Sequence, residues 1–352
     1  MAGIAHRLGL RVNLTMHTCG DTDCDVLVVA TDTRSMTLAD AVAETRKAAG
    51  AVMKIPGVTA VFKKTDSALR GHVAGELGEM IATLGYKDAV YLPANPSKGR
   101  IIRDGVYYVG EKPLHLTDFS FDPEFPAFSS RLSERLPGCE DKGIRCPDAE
   151  CDEDIRAVVA SIGPETLPAG AADLFTAFLE REMARGATEG DMARHVPTTD
   201  NHFRLDTSDM LVVCGSTQSR PVDCGANISY MPLGVYDGDC SAEGWIEELT
   251  ELCALKPSLI LALEHRHRSG KESAVYIRET MGEVVSRLVE VHCPREMVIE
   301  GGATAFAILR RLGWNTFTIT DEIAPGVIRM STPAGSYITM KPGSYPWGPL
   351  YP

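Results

Sequence analysis

The run Lys63-Lys64-Thr65-Asp66-Ser67-Ala68-Leu69-Arg70-Gly71 gathers three cations, a carboxylate and two hydroxyls within nine residues. An apolar stretch precedes it. Leu69, Val73, Leu77, Met80, Ile81 and Leu84 then recur at helical spacing, which predicts an amphipathic helix opening at this point. Asp66 and Ser67 fall where the N-cap of that helix is expected. Gly71 and Gly75, four apart, share one helix face and leave room for close backbone approach. From residue 63 to residue 103 seven Lys or Arg stand against four Asp or Glu, a local excess of positive charge in a chain of net charge −13. Exposed helix-start amides beside Lys63, Lys64 and Arg70 suit an anion, either a carboxylate or a phosphate. A capped amphipathic helix with solvated charges satisfies the same spacing, and the residues alone do not separate the two readings.

A second group is PANPSKGRIIRDGVYYVG (93–110), a loop carrying Lys98, Arg100 and Arg103 that leads into a predicted β-hairpin. The third is EMVIEGGATAFAILRRLG (296–313), an apolar strand, paired glycines, then Ala305, Ile308, Leu309 and Leu312 on a helical face. Strand, diglycine turn and helix together bring backbone amides and the helix dipole to a phosphate. CGSTQ (214–218) and KPGSYPWG (341–348) supply two more glycine-bearing loops in the same half. Neither GxGxxG nor GxxxxGK[ST] is present: the SGKES segment (269–273) carries His265 where the first glycine of the latter belongs.

These groups must be positioned by strands and helices, and short apolar runs alternate with helical patterns along the chain. DVLVVATDTRS (25–35), VTAVFKK (58–64), AVYLPA (89–94), MLVVCGSTQ (210–218), SLILALEH (258–265) and EMVIEGG (296–302) read as strands. TLADAVAETRKAAGAVM (37–53), DEDIRAVVASI (152–162) and AADLFTAFLEREMAR (171–185) read as helices. Such alternation predicts an α/β protein with largely parallel sheets, whose ligands meet loops at the carboxyl ends of strands. Proline-rich residues 104–150 are irregular and are expected to wrap the first domain. Polar, aperiodic residues 186–208 are expected to link it to a second. A length of 352 residues suits two domains, 1–185 and 209–352.

The acidic balance argues against nucleic-acid binding. No apolar run reaches membrane-span length and the N-terminus has no signal-peptide pattern, so a cytoplasmic protein without membrane attachment is expected. Ten scattered cysteines without a CxxC pair read as reduced thiols, and Cys139, Cys146 and Cys151 form the only loose cluster.

Taken together, the motifs resemble the four-carbon acid sugar kinase family. The resemblance runs through VATDTRS (29–35), KKTDSALRG (63–71), PANPSKGR (93–100), CPDAECDEDI (146–155), LPAGAADLF (167–175), VVCGSTQ (212–218), EGGATA (300–305), EIAPGV (322–327) and KPGS (341–344). It implies an N-terminal sugar-acid-binding domain, a C-terminal nucleotide-binding domain and a cleft between them. It also implies ATP-dependent phosphorylation of a hydroxyl on a threonate, erythronate or 3-oxo-tetronate type of acid, with Mg2+. On the substrate side Lys64, Asp66, Ser67, Arg70 and Gly71 match the family's motif, with Arg34 alongside. Ser216, Gly301, Gly302, Ala303, Thr304 and Gly343 match its ATP-contacting positions. The metal ligands and the oligomeric state, a homodimer included, stay open.

The chain departs from the family pattern at identifiable places. It begins within what resembles the family's first helix, without the strand and Asp-Asp motif that the family carries ahead of it. Ala68 and His72 replace the Thr and Asn that flank Leu-Arg-Gly, and Ala303 replaces an acidic residue, with Glu300 just upstream. The expected mechanism sets the acid's carboxylate against Arg34, Lys64 and Arg70, with Asp66 orienting or deprotonating the attacking hydroxyl or, as the alternative, capping the helix. A non-catalytic protein that binds a sugar acid or nucleotide is the alternative. An NAD-dependent enzyme is disfavoured by the missing dinucleotide fingerprint.

Overall fold

A computed structural model describes residues 1–16, 23–66, 68–122, 124–189, 208–215, 227–255, 258–264 and 271–341. These residues divide into two compact units. One spans 31–189; the other combines 2–16 and 23–30 with 208–341.

The first unit is built on a four-stranded parallel sheet in the order Lys63–Lys64, Thr166–Gly170, Asp88–Leu92, Ile144–Arg145. Helices Leu38–Val52, Val73–Leu84, Asp152–Ser161 and Ala172–Glu189 alternate with these strands. Leu77, Tyr91, Leu92, Ile144, Leu167 and Leu174 are fully or almost fully buried in its core. The central strands lie so close that a Cβ on Gly170 would stand 2.1 Å from the Leu92 carbonyl oxygen, which is why glycine occupies that position. The apolar run 58–64 contributes only Lys63–Lys64 as strand, shorter than the sequence pattern predicts. The predicted hairpin is present as Arg100–Arg103 against Val106–Val109. A third strand, Lys112–Pro113, extends it within the stretch expected to be irregular.

The second unit carries a nine-stranded sheet. Its order is Asn227–Tyr230, Leu259–Ala262, Met210–Cys214, Glu296–Glu300, Tyr337–Lys341, Val327–Ser331, Thr316–Ala324, Val12–Met16, Val26–Ala30. The first five strands are parallel, and the pairs from Tyr337–Lys341 through Val12–Met16 are antiparallel. The two N-terminal strands pair in parallel with each other at the far edge.

The division therefore departs from the expected 1–185 boundary. Val12–Met16 is buried along its whole length and lies in register with the strand Thr316–Ala324, Asn13 opposite Thr318. The sequence pattern marks no strand at Val12–Met16, and periodicity carries no information about a partner about three hundred residues away. The expected linker falls almost wholly outside the described residues. Among the described residues no helix is long and apolar enough to cross a membrane.

Candidate active site

At the carboxyl end of strand Lys63–Lys64, Thr65 N–H continues the ladder by donating to the Gly170 carbonyl at 3.1 Å. The chain then turns on Asp66. Its Oδ2 accepts from the backbone N–H of Ala68 at 2.8 Å and of Arg70 at 3.4 Å, a turn closed by a side chain rather than a helix cap. The helix begins only at Val73, with His72 at the N-cap and no side-chain capping bond, so the expected cap at Asp66 and Ser67 is corrected. Leu69, expected on the helix, instead has φ +63° with its side chain buried. That backbone costs a leucine on the order of 1 kcal/mol and is held by the core beneath it.

Two loops meet here. Gly71 has φ +91° and backs onto Arg34, whose Cα would lie 3.6 Å from an added Cβ. The ring Nε2 of His72 lies 2.8 Å from the Met36 carbonyl oxygen, tying the turn Thr33–Ser35 to the 66–72 loop.

The charges converge on Asp66. Arg70 donates from Nε to Oδ2 at 3.0 Å and from Nη2 to Oδ1 at 2.8 Å, a two-pronged pair, and Arg34 Nη1 stands 3.7 Å from Oδ1. The third edge of the Arg70 guanidinium donates to Asp122 Oδ2 at 2.9 Å. The Phe119 ring lies 5.8 Å from the Arg70 guanidinium and 5.7 Å from that of Arg100. Burial alone would raise the pKa of Asp66. The Arg70 hydrogen bonds and charge, the Ala68 N–H and the Lys64 charge outweigh it and bring the value down to about 2. Burial likewise opposes the Arg70 cation, but Asp66 and Asp122 override it and raise its pKa.

Lys64 keeps an exposed surface while protein atoms crowd its ammonium. That desolvation lowers its pKa against the pull of Asp66, with Arg34, Lys63 and Arg70 adding to the lowering. Its exposed surface leaves the ammonium in contact with water, where the Asp66 carboxylate favours the charged form. Lys63 turns elsewhere and pairs with buried Glu76 at 2.5 Å.

The structure thus brings together Arg34, Lys64, Asp66, Arg70 and Gly71; Ser67 lies outside the described residues. Of the cations in the 93–110 loop, Arg100 reaches Phe119, whereas Arg103 pairs with Glu150. Sequence reasoning missed Asp122 and Phe119. They lie about fifty residues downstream in a proline-rich stretch, where periodicity offers no signal. Turn chemistry does: Asp122 Oδ1 accepts from the N–H groups of Glu124 and Phe125.

In the second unit the strand Glu296–Glu300 ends in Gly301, φ +102°, and the helix Gly302–Leu312 follows. Gly301 N–H donates to the Lys341 carbonyl at 2.8 Å. In this helix geometry the N–H groups of Gly302, Ala303 and Thr304 have no intrahelical acceptor and are directed along the axis. Gly302 is exposed, Ala303 half-buried and Thr304 buried. The Thr304 side chain packs against Gly215, where an added Cβ would lie 2.3 Å from its Oγ1. Glu300 does not stand in for the acidic residue absent at position 303, because it is fully buried and paired with Lys341 Nζ. Ser216 and Gly343 lie outside the described residues.

Residues 1–158 match the sugar-binding N-terminal domain and residues 256–345 the nucleotide-binding C-terminal domain of one family. The chain belongs to the four-carbon acid sugar kinase family. A D-threonate kinase of Bordetella bronchiseptica is 28% identical over 86% of this chain and 78% of its own. A 3-oxo-tetronate kinase of Methylobacterium radiotolerans is 24% identical over 92% of this chain and 87% of its own. A Haemophilus influenzae protein of the DUF1537 family shares the fold at a TM-score of 0.67 with 17% identity, covering 99% of this chain and 95% of its own. The family's N-terminal match spans both compact units, since the strands Val12–Met16 and Val26–Ala30 lie in the nine-stranded sheet.

Proposed function

We propose that this member of the family is an ATP-dependent kinase that phosphorylates a hydroxyl of a four-carbon sugar acid. The observation that carries the reading is the Asp66 cluster. Among the described residues Arg34, Lys64 and Arg70 gather around two carboxylates, Asp66 and Asp122, at a strand end in the region matched to the sugar-binding domain. The excess positive charge receives the acid's carboxylate.

Acceptor capacity supports a specific role for Asp66. Its Oδ2 already accepts from three N–H groups, whereas Oδ1 accepts one at hydrogen-bond distance. Each carboxylate oxygen has about two lone-pair sites, so Oδ1, with its single close bond, is the oxygen that keeps a site for a substrate hydroxyl. A pKa of about 2 makes Asp66 a weak base but an ionised acceptor at neutral pH. Its task in this reading is to orient the attacking hydroxyl and receive its proton late, as a loose phosphoryl-transfer transition state permits. The amides at Gly302, Ala303 and Thr304 hold nucleotide phosphates by backbone contacts, with Ser216 and Gly343 as further contacts on the strength of the family pattern.

Mg2+ accompanies nucleotide phosphates in such chemistry. Among the described residues no group of three metal-ligating side chains is present, and the carboxylate nearest the diglycine turn is committed to Lys341. The described residues therefore provide the metal no dedicated ligand set.

A binding protein without turnover is the second reading, favoured by Ala303 and by the engagement of Glu300 with Lys341. ADP release from ATP and Mg2+ across threonate, erythronate and 3-oxo-tetronate separates the two. Turnover with one acid supports the kinase; thermal stabilisation by acid or nucleotide without ADP supports the binder.

A further inference from the structure

We propose that Asp122 is a positioning residue for the sugar-acid site: it fixes the Arg70 guanidinium so that Arg70 serves Asp66, leaving the substrate carboxylate to Arg34 and Lys64. The inference rests on the function proposed above and assigns its cations distinct tasks.

Both oxygens of Asp122 are committed. Oδ1 accepts from Glu124 N–H at 3.0 Å and Phe125 N–H at 2.7 Å, and Oδ2 accepts from Arg70 Nη1 at 2.9 Å. The carboxylate is thus anchored to its own turn and presents a fixed acceptor, rather than a mobile group that a ligand could displace. Burial alone would raise its pKa, and the Phe125 N–H, Arg70 and the Glu124 N–H together bring it below the ordinary range.

Arg70 in turn has its Nε and Nη2 edge on Asp66, its Nη1 on Asp122, and the Phe119 ring 5.8 Å from its guanidinium carbon. Three of its five N–H groups are spent on two carboxylates, so little of the fork remains for a third. Arg34 approaches Asp66 Oδ1 only at 3.7 Å and is more exposed than Arg70, and Lys64 is exposed. Those two cations keep donors to offer.

Substitution Asp122→Asn frustrates the arrangement whichever way the amide turns, because an N–H then faces either Arg70 Nη1 or the two backbone N–H groups. The test compares steady-state kinetics of the full-length protein with hydrogen exchange at Arg70 Nε–H, followed by nitrogen-15 NMR without substrate. The expected result is a kcat lower by roughly tenfold, a KM for the acid within about twofold of wild type, and faster exchange at Arg70 Nε–H. Arg34→Ala should do the reverse, raising KM for the acid more than it lowers kcat. Unchanged exchange and kcat in Asp122→Asn would overturn the proposal, as would a raised KM with kcat intact. Should the Asn variant fail to fold, Asp122→Glu, which keeps the charge but displaces it, carries the same comparison. Silence of the wild-type protein toward every acid would defeat the kinase reading, and the exchange measurement would still decide the role of Asp122.

Discussion

Arg70 grips Asp66 through two near-parallel hydrogen bonds, Nε to Oδ2 at 3.0 Å and Nη2 to Oδ1 at 2.8 Å. The pair lies just four residues apart in sequence, yet it is not a helical i,i+4 pair. The intervening chain is the Asp66 turn, with Leu69 in the left-handed region. A regular helix also sets residues i and i+4 on one face; here the Asp66 turn, not a helix, brings the two side chains together at the strand end.

Asp66→Asn is expected to lower kcat by about a hundredfold or more, since it removes the ionised acceptor from the site. Arg70 retains Asp122, so the loss of stability should be no more than about 2–3 kcal/mol. Kinetics and denaturant unfolding of the same variant check both parts. A variant that folds as well as wild type and turns over normally would remove Asp66 from the chemistry.

Acid stability follows from the same pair. Asp66 has its folded-state pKa lowered to about 2 from an ordinary value of 3.8. A depressed carboxylate stabilises the fold fully above its unfolded pKa and loses that contribution as pH falls through the folded one. The window is therefore about pH 4 down to about pH 2, and the amount is on the order of 2 kcal/mol. Unfolding free energies measured across this range for wild type and Asp66→Asn should converge at the acid end.

Breaking the buried pair in the second unit should cost more. Glu300 and Lys341 are opposite each other on neighbouring parallel strands and almost wholly excluded from solvent. Lys341→Met removes the ammonium that faces the buried Glu300 carboxylate and should destabilise by roughly 3–5 kcal/mol. The double substitution Glu300→Met with Lys341→Met should recover most of that loss, and a double-mutant cycle in denaturant measures it.

Gly215→Ala places a Cβ 2.3 Å from Thr304 Oγ1. The clash is expected to shift the first turn of the helix Gly302–Leu312 and raise KM for ATP, with little change in KM for the acid. Adding Thr304→Ala removes the nearest atom and should restore part of the nucleotide affinity. An unaltered KM for ATP in the single variant would detach this turn from the nucleotide.

Local order along the chain determined much of this protein. Alternating apolar and amphipathic runs place strands such as Asp88–Leu92, Met210–Cys214 and Glu296–Glu300 and the helices between them within a few residues of where they lie. Cation, carboxylate and glycine spacing marked both the Asp66 loop and the diglycine turn, because each is a contiguous segment whose residue types carry its chemistry. Tertiary structure decided the rest. The pairing of Val12–Met16 with Thr316–Ala324 depends on which buried strand offers a free edge, and no periodicity records that. The left-handed Leu69 arises because a buried side chain and the Asp66 turn together outweigh its backbone preference. Asp122 joined the site only through folding. A carboxylate 52 residues from Arg70 becomes its partner when the chain brings the two within 2.9 Å, and charge compensation at that distance is a property of space rather than of sequence.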